Sequence, residues 1–139
     1  MKVSEAMTAQ VATAGPADSV QKVAGIMASI ETGAVPIVED DKVVGLITDR
    51  DIVLQVVAKG GALSTPASDV MSGDVQTCKE DDNLADAAAQ MANHQIRRLI
   101  VANDAGKLVG ILSLGDIATD YGAKVVGKTL EEISTDNDA

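Results

Sequence analysis

The chain has 139 residues and a formal net charge of −10; 46% of it is hydrophobic, yet a single tyrosine is its only aromatic. That charge repels a phosphate backbone at long range, and unpaired bases find no aromatic faces to stack on, so nucleic acid is excluded as a partner. One cysteine excludes an intrachain disulfide and fits a reducing compartment. No apolar run could span a bilayer, and Met1 to Met7 carry no secretory pattern, so no membrane association and a cytoplasmic location are expected.

Taken in chain order, Thr8 to Ala14 reads as an extended entry and Gly15-Pro16 as a turn. Asp18-Ser19 caps a helix with Val20, Val23, Ala24, Met27 and Ile30 at helical spacing, ended by Gly33. Ala34 to Val38 is a short apolar strand whose Pro36 suits an edge or entry position. Glu39 to Lys42 is a polar hairpin turn, Val43 to Ile47 the returning strand. Thr48 opens a second helix with Ile52, Val53, Val56 and Val57 as its apolar face, closed by Gly60-Gly61.

The pattern then starts again. Ser4 to Met7 matches Ser68 to Met71, and Met27-Ala28 matches Met91-Ala92, at a constant offset of 64. One residue inserted in a turn makes the offset 65, and Val44 to Ile52 matches Val109 to Ile117. In the second copy a helix runs from about Asn83 to His94. Strands follow near Arg98–Ala102 and Lys107–Leu112, and a last helix after Ser113. This period is longer than that of a solenoid repeat. The expected organisation is a first repeat over 1–61, a linker over 62–67, a second repeat over 67–123, and an acidic tail over 124–139 with Asp136-Asn137-Asp138 disordered. Each repeat alone is marginal in size, so a core shared between the halves is expected. The fold class is α+β: two β-α-β-β-α units packed as a pseudo-two-fold pair.

The strongest local pattern is Gly45-Leu46-Ile47-Thr48-x-x-Asp51, repeated as Gly110-Ile111-Leu112-Ser113-x-x-Asp116. One reading is a helix capping box, in which the hydroxyl and the acid each accept a backbone N–H. The functional reading is a carboxylate that accepts from both hydroxyls of a ribose. Arg97-Arg98 is a rare cationic spot in an acidic chain, and guanidinium forks suit phosphate oxygens, against the plainer reading of two solvated charges. Cys78 reads as a small buried hydrophobe and His94 as a surface residue without ligand spacing. No nucleophile has a paired base, which argues against an enzyme.

The doubled motif and Gly33-Ala34-Val35-Pro36-Ile37-Val38 resemble a tandem pair of CBS domains, a Bateman module, across about residues 2–122. The likeness is to free-standing bacterial proteins of this type. The resemblance implies a flat pseudo-symmetric disc with two clefts that bind AMP, ADP, ATP or S-adenosylmethionine. It implies ribose sites at Thr48 with Asp51 and at Ser113 with Asp116. Across repeats, Asp51 is expected to face Thr77, Cys78, Ile96, Arg97 and Arg98, and Asp116 to face Thr13, Ala14, Thr32, Gly33 and Ala34. On that arrangement the Asp51 cleft prefers more phosphates. The chain departs from the pattern at Ile100, where the first repeat has Pro36, and at Leu114-Gly115, opposite Asp49-Arg50. The implied function is a non-enzymatic nucleotide sensor, needing no cofactor, acting on an unknown regulated protein. The alternative is a structural or interaction module with vestigial clefts. A homodimer is expected through faces such as Val20-Val23-Met27 and Ile52-Val56.

Overall fold

The computed structural model describes residues 1–9, 11–121 and 131–133; most of the expected tail, including 136–138, lies outside the described residues. The chain divides into two compact units. One is contiguous, Val11–Val75; the other joins Met1–Gln10 to Gln76–Ala139.

In the contiguous unit Ser19 caps α2 (Val20–Ile30) as expected, its Oγ accepting the Lys22 N–H at 3.2 Å. Asp18 instead folds back to accept the Gly15 N–H at 2.7 Å and meets Lys22 Nζ at 3.1 Å. Those two bonds hold its carboxyl below the usual carboxylate range. The helix ends at Ile30 rather than at Gly33, because Glu31 takes the left-handed conformation that turns the chain (φ 54°). Strands β1 (Ala34–Glu39) and β2 (Lys42–Thr48) pair antiparallel. Their two-residue turn has Asp40 and Asp41 both at positive φ, 52° and 64°, the geometry whose twist matches the strands. Helix α3 (Asp49–Ile52) runs into a π-helical turn, Val53–Val57, with Ala58 N–H bonded to Val53 C=O at 2.8 Å. This widening breaks the helical spacing expected for the apolar face. Only Val56 is buried, while Val53 and Val57 are 54% and 64% exposed. The presumed linker is tied down instead: Ala67 is fully buried, its N–H bonds Asp18 C=O at 2.7 Å, and Leu46 and Ser72 exchange two 3.0 Å backbone bonds.

The discontinuous unit starts with α1 (Val3–Ala6), which belongs in sequence to the first repeat. Val3 N–H bonds Asp82 C=O and Leu84 N–H bonds Met1 C=O, each at 2.9 Å. Strand β3 (Thr77–Lys79) lies parallel to β4 (Arg98–Ala102), which is antiparallel to β5 (Leu108–Ser113). Asn83 caps α4 (Leu84–His94), and Gln95 ends it at φ 57°, repeating Glu31. Helix α5 (Leu114–Tyr121) follows β5 directly. The extra residue sits in the β4–β5 turn, where Asn103 Oδ1 accepts from Ala105 and Lys107 N–H at 3.0 Å each and Gly106 takes φ 82°.

The leading segments of the two repeats have therefore changed places. Val3 and Ala6 complete a core of Leu84, Met91, Leu99, Val101, Leu112 and Ile117. Ala67 and Val70 complete a core of Val20, Val23, Val35, Ile37, Ile47 and Val56. The single shared core expected from size is replaced by these two clusters. Each gains apolar surface from a segment of the other repeat. The segment seats over a glycine in both units. A Cβ on Gly110 would fall 2.7 Å from Met7 Sδ and 2.8 Å from Thr8 O, and one on Gly45 would collide with Met71 Sδ. Val20, Val23 and Val56, expected in a dimer face, are core residues.

Candidate functional site

Each unit ends its hairpin at the expected motif. Thr48 closes β2 and opens α3; its Oγ1 accepts the Asp51 N–H at 3.2 Å, and Asp51 Oδ2 accepts the Thr48 N–H at 2.9 Å. Ser113 and Asp116 repeat this at 3.0 and 2.9 Å. Both motifs are reciprocal capping boxes. A cap occupies only one oxygen of each carboxylate. Oδ1 of Asp51 and of Asp116 is engaged by no described group, both residues are half-buried, and both hydroxyls still have a hydrogen to donate. The two sequence readings, cap and ligand acceptor, are thus compatible in one side chain.

The strand register sets what stands beside each motif. In the contiguous unit Ala34 is directly opposite Thr48, and Gly33 C=O accepts the Asp49 N–H at 2.9 Å. Thr32 Oγ1 bonds Ala34 O at 3.1 Å. In the other unit Arg98 is directly opposite Ser113, and Arg97 C=O accepts the Leu114 N–H at 2.8 Å. Backbone pairing within each unit therefore groups Thr32, Gly33 and Ala34 with Asp51, and Arg97 and Arg98 with Asp116. The expectation from resemblance grouped them the other way, across repeats. The carbonyl-to-amide bonds from Gly33 and Arg97, which fasten each strand entry to the following helix, went unnoticed in the sequence. They occupy matched places in the two copies, so aligning the repeats onto a hairpin register could have found them.

The other expected site residues differ in burial. Ala14 is buried in the core, its N–H bonding Pro36 O at 3.1 Å and its C=O accepting Val38 N–H at 2.8 Å. Cys78, its counterpart, is buried in the other core. Desolvation, with the Asp82 charge adding to it, pushes its thiol up to about 11. Ile96 packs against that same core, whereas Thr13 and Thr77 are exposed. His94 is exposed at the end of α4. Among the described residues no three His, Cys, Asp or Glu side chains could hold a metal ion, and no helix is long and apolar enough to cross a membrane.

The three ion pairs among the described residues, at Lys2, Lys22 and Lys79, all use lysine. Arg50, Arg97 and Arg98 have no carboxylate partner there. Unpaired guanidiniums in a −10 chain stay available to an external anion.

A doubled α+β unit, each copy setting a hydroxyl-capped carboxylate beside a hairpin end, defines a class of paired repeats. The chain belongs to the CBS-domain family, whose model matches residues 3–58 and 67–122. It is 41% identical over 136 residues to the CBS domain-containing protein YhcV of Bacillus subtilis, covering 97% of this chain and 96% of the relative. Its fold matches the CBS domain protein PAE2072 from Pyrobaculum aerophilum, solved complexed with AMP. The TM-score there is 0.79 at 25% identity, covering 94% of this chain and 99% of that one. It also matches the CBS domain pair of protein MJ0100, solved in complex with 5′-methylthioadenosine and S-adenosyl-L-methionine. That TM-score is 0.79 at 27% identity, over 89% and 98% of the two chains.

Proposed function

We propose that the protein is a non-enzymatic, cytoplasmic sensor that binds an adenosine compound at its capped carboxylates and passes the binding event to a regulated partner by a change of conformation. The observation that carries this reading is the spare carboxylate oxygen beside a donor-capable hydroxyl, present twice at matched positions. Two structural relatives solved with adenosine ligands support it. A ligand that prefers one conformation shifts the population toward it, which suffices for signalling without catalysis.

Calorimetric titration with AMP, ADP, ATP and S-adenosylmethionine tests it. Asp51→Ala removes the cap and the acceptor together, so melting and affinity both fall: stability by about 0.5–2 kcal/mol and binding at that site by about 1.5–3 kcal/mol. A lower melting point with unchanged affinity for every ligand supports the second reading, a structural or interaction module with vestigial clefts. The satisfied cap is the observation that favours that alternative. Release of phosphate at catalytic rates would point to an enzyme.

The same reading includes a homodimer. Its face is relocated from the buried valines to Val53, Leu54 and Val57, which expose 46–64% of their surface on one side of the contiguous unit. Sedimentation equilibrium at micromolar concentration gives a species of twice 14.2 kDa if this holds.

A further inference from the structure

We infer that Met7 and Met71 are oxidation sites, at which a peroxide converts a seated thioether into a sulfoxide and unfastens the segment that closes each unit. The two methionines occupy matched places. The Met7 N–H closes a turn on Val3 C=O at 3.0 Å, and the Met71 N–H does the same on Ala67 C=O at 2.9 Å. Each side chain packs against the core of its own unit. Each sulfur lies against strand backbone at a glycine, since a Cβ on Gly110 would fall 2.7 Å from Met7 Sδ and one on Gly45 would collide with Met71 Sδ. The residue after each methionine then fastens the segment beside that glycine. Thr8 exchanges two backbone bonds with Ile111, at 2.9 and 3.0 Å, and Ser72 exchanges two with Leu46, at 3.0 Å each. Thioether and backbone bridge are neighbours at both seats, so whatever displaces the sulfur loads the bridge.

The surroundings sort the sulfur atoms of this chain, five in methionine and one in cysteine. Burial pushes the Cys78 thiol up to about 11, which withholds the reactive thiolate. Met91 is fully buried. Met7 and Met71 are half-buried, so solvent reaches part of each. Met1 is exposed and Met27 half-buried, but neither is followed by a bridge to a hairpin. A thioether has no proton to lose before it reacts. Its sulfur lone pair attacks one oxygen of hydrogen peroxide, the S–O bond forms and the O–O bond breaks. Sulfur is oxidised by two electrons, and the second oxygen leaves as hydroxide, taking the proton of the first to become water. The product is polar and chiral where the seat holds an apolar group. The strand leaves no space for an added oxygen on its side, so the segment lifts.

The test treats the full chain with hydrogen peroxide, reading oxidation by peptide mass mapping and fastening by amide exchange. Met7 and Met71 are expected to gain one oxygen each while Met91 gains none. Exchange at Thr8 and Ile111 rises roughly tenfold or more with the Met7 sulfoxide, and exchange at Leu46 and Ser72 with the Met71 sulfoxide. Met7→Leu, a swap of similar volume, makes Thr8 and Ile111 indifferent to peroxide and leaves Leu46 and Ser72 responsive; Met71→Leu does the reverse. Methionine sulfoxide reductases restore slow exchange in the wild type. If a leucine variant does not fold, the wild type decides alone, because exchange at each bridge must track the sulfoxide of its own methionine. Three results overturn the inference: Met7 and Met71 intact when Met1 and Met27 are fully oxidised, sulfoxides that leave exchange unchanged, or Met91 oxidised as fast as Met7.

Discussion

The two repeats hang the same capping motif on sheets of different width, and one backbone atom accounts for the difference. In the discontinuous unit Ile100 N–H bonds Gln76 O at 3.1 Å, and β3 pairs with β4 over three residues. In the contiguous unit the matching position is Pro36, which has no N–H to give. Pairing there shrinks to the single parallel bridge Ala14 to Ile37, and Gly15-Pro16 turns the chain away at once. The motif is unaffected, because it depends on the hairpin and the helix that follows rather than on the third strand. Duplication has thus preserved the capping geometry while its support and its charge have diverged.

The largest expected effect tests whether the seat of the exchanged segment is equivalent in both units. Gly110→Val drives a side chain into Met7 and the Thr8 carbonyl, and about 3 kcal/mol of stability should be lost by urea unfolding. At Gly45 the three nearest atoms to an added Cβ all belong to the Met71 side chain, which can move, so for Gly45→Val about 2 kcal/mol is expected. Equal losses would make the two seats interchangeable.

Converting one repeat into the other comes next. Ile100→Pro removes the bond to Gln76 O from the ladder and puts a ring where an N–H stood, costing about 3 kcal/mol. Amide exchange should quicken at Thr77 to Lys79 and remain slow in β1 and β2. Unchanged protection of β3 would mean that its pairing does not depend on that N–H.

A smaller asymmetry is chemical. Cys78 stands where the first repeat has Ala14, and only a thiol titrates. Its folded value of about 11 lies above the ordinary 9.0. Between those values the unfolded chain has released the proton and the folded chain has not. The stability present below pH 9 is therefore lost as pH rises toward 11. Cys78→Ala should flatten that decline, and a decline that persists unchanged assigns it to other groups.

The smallest effect should be the same in both repeats. Glu31→Gly and Gln95→Gly each relieve a left-handed residue at a helix end, with a gain below about 1 kcal/mol in thermal unfolding. A gain in one repeat alone would show that the two helix ends are not equivalent.

The sequence carried the hairpins, the caps at Ser19 and Asn83 and both carboxylate motifs, because these rest on residues close together in the chain. It did not carry the exchange of leading segments. Ser4 to Met7 and Ser68 to Met71 look alike, and nothing local says which repeat each one joins. The π-helical turn escaped for a related reason, since Val53, Val56 and Val57 satisfy ordinary helical spacing and the widened turn shows only in the backbone. The capped motifs were legible as residue types, whereas their neighbours within each unit follow from strand register. Arg97 and Arg98 stand out by charge, and the pairing of β4 with β5 adds that Arg98 is directly opposite Ser113.

The exchange of segments also sets an order of assembly. Residues 11–75 contain everything the contiguous unit uses, so on the ribosome it can close while later residues are still being added. Val3 has no such freedom. Its partners Leu84, Met91 and Leu112 are made much later, and it must wait across the whole intervening repeat. The loop spanned is long, but the entropy of closing it grows only with the logarithm of its length. Once residues 11–75 have folded, moreover, much of that loop is already compact. Residues made ahead of the contiguous unit are then placed after it, and the discontinuous unit matures on a clock started by its neighbour in the chain.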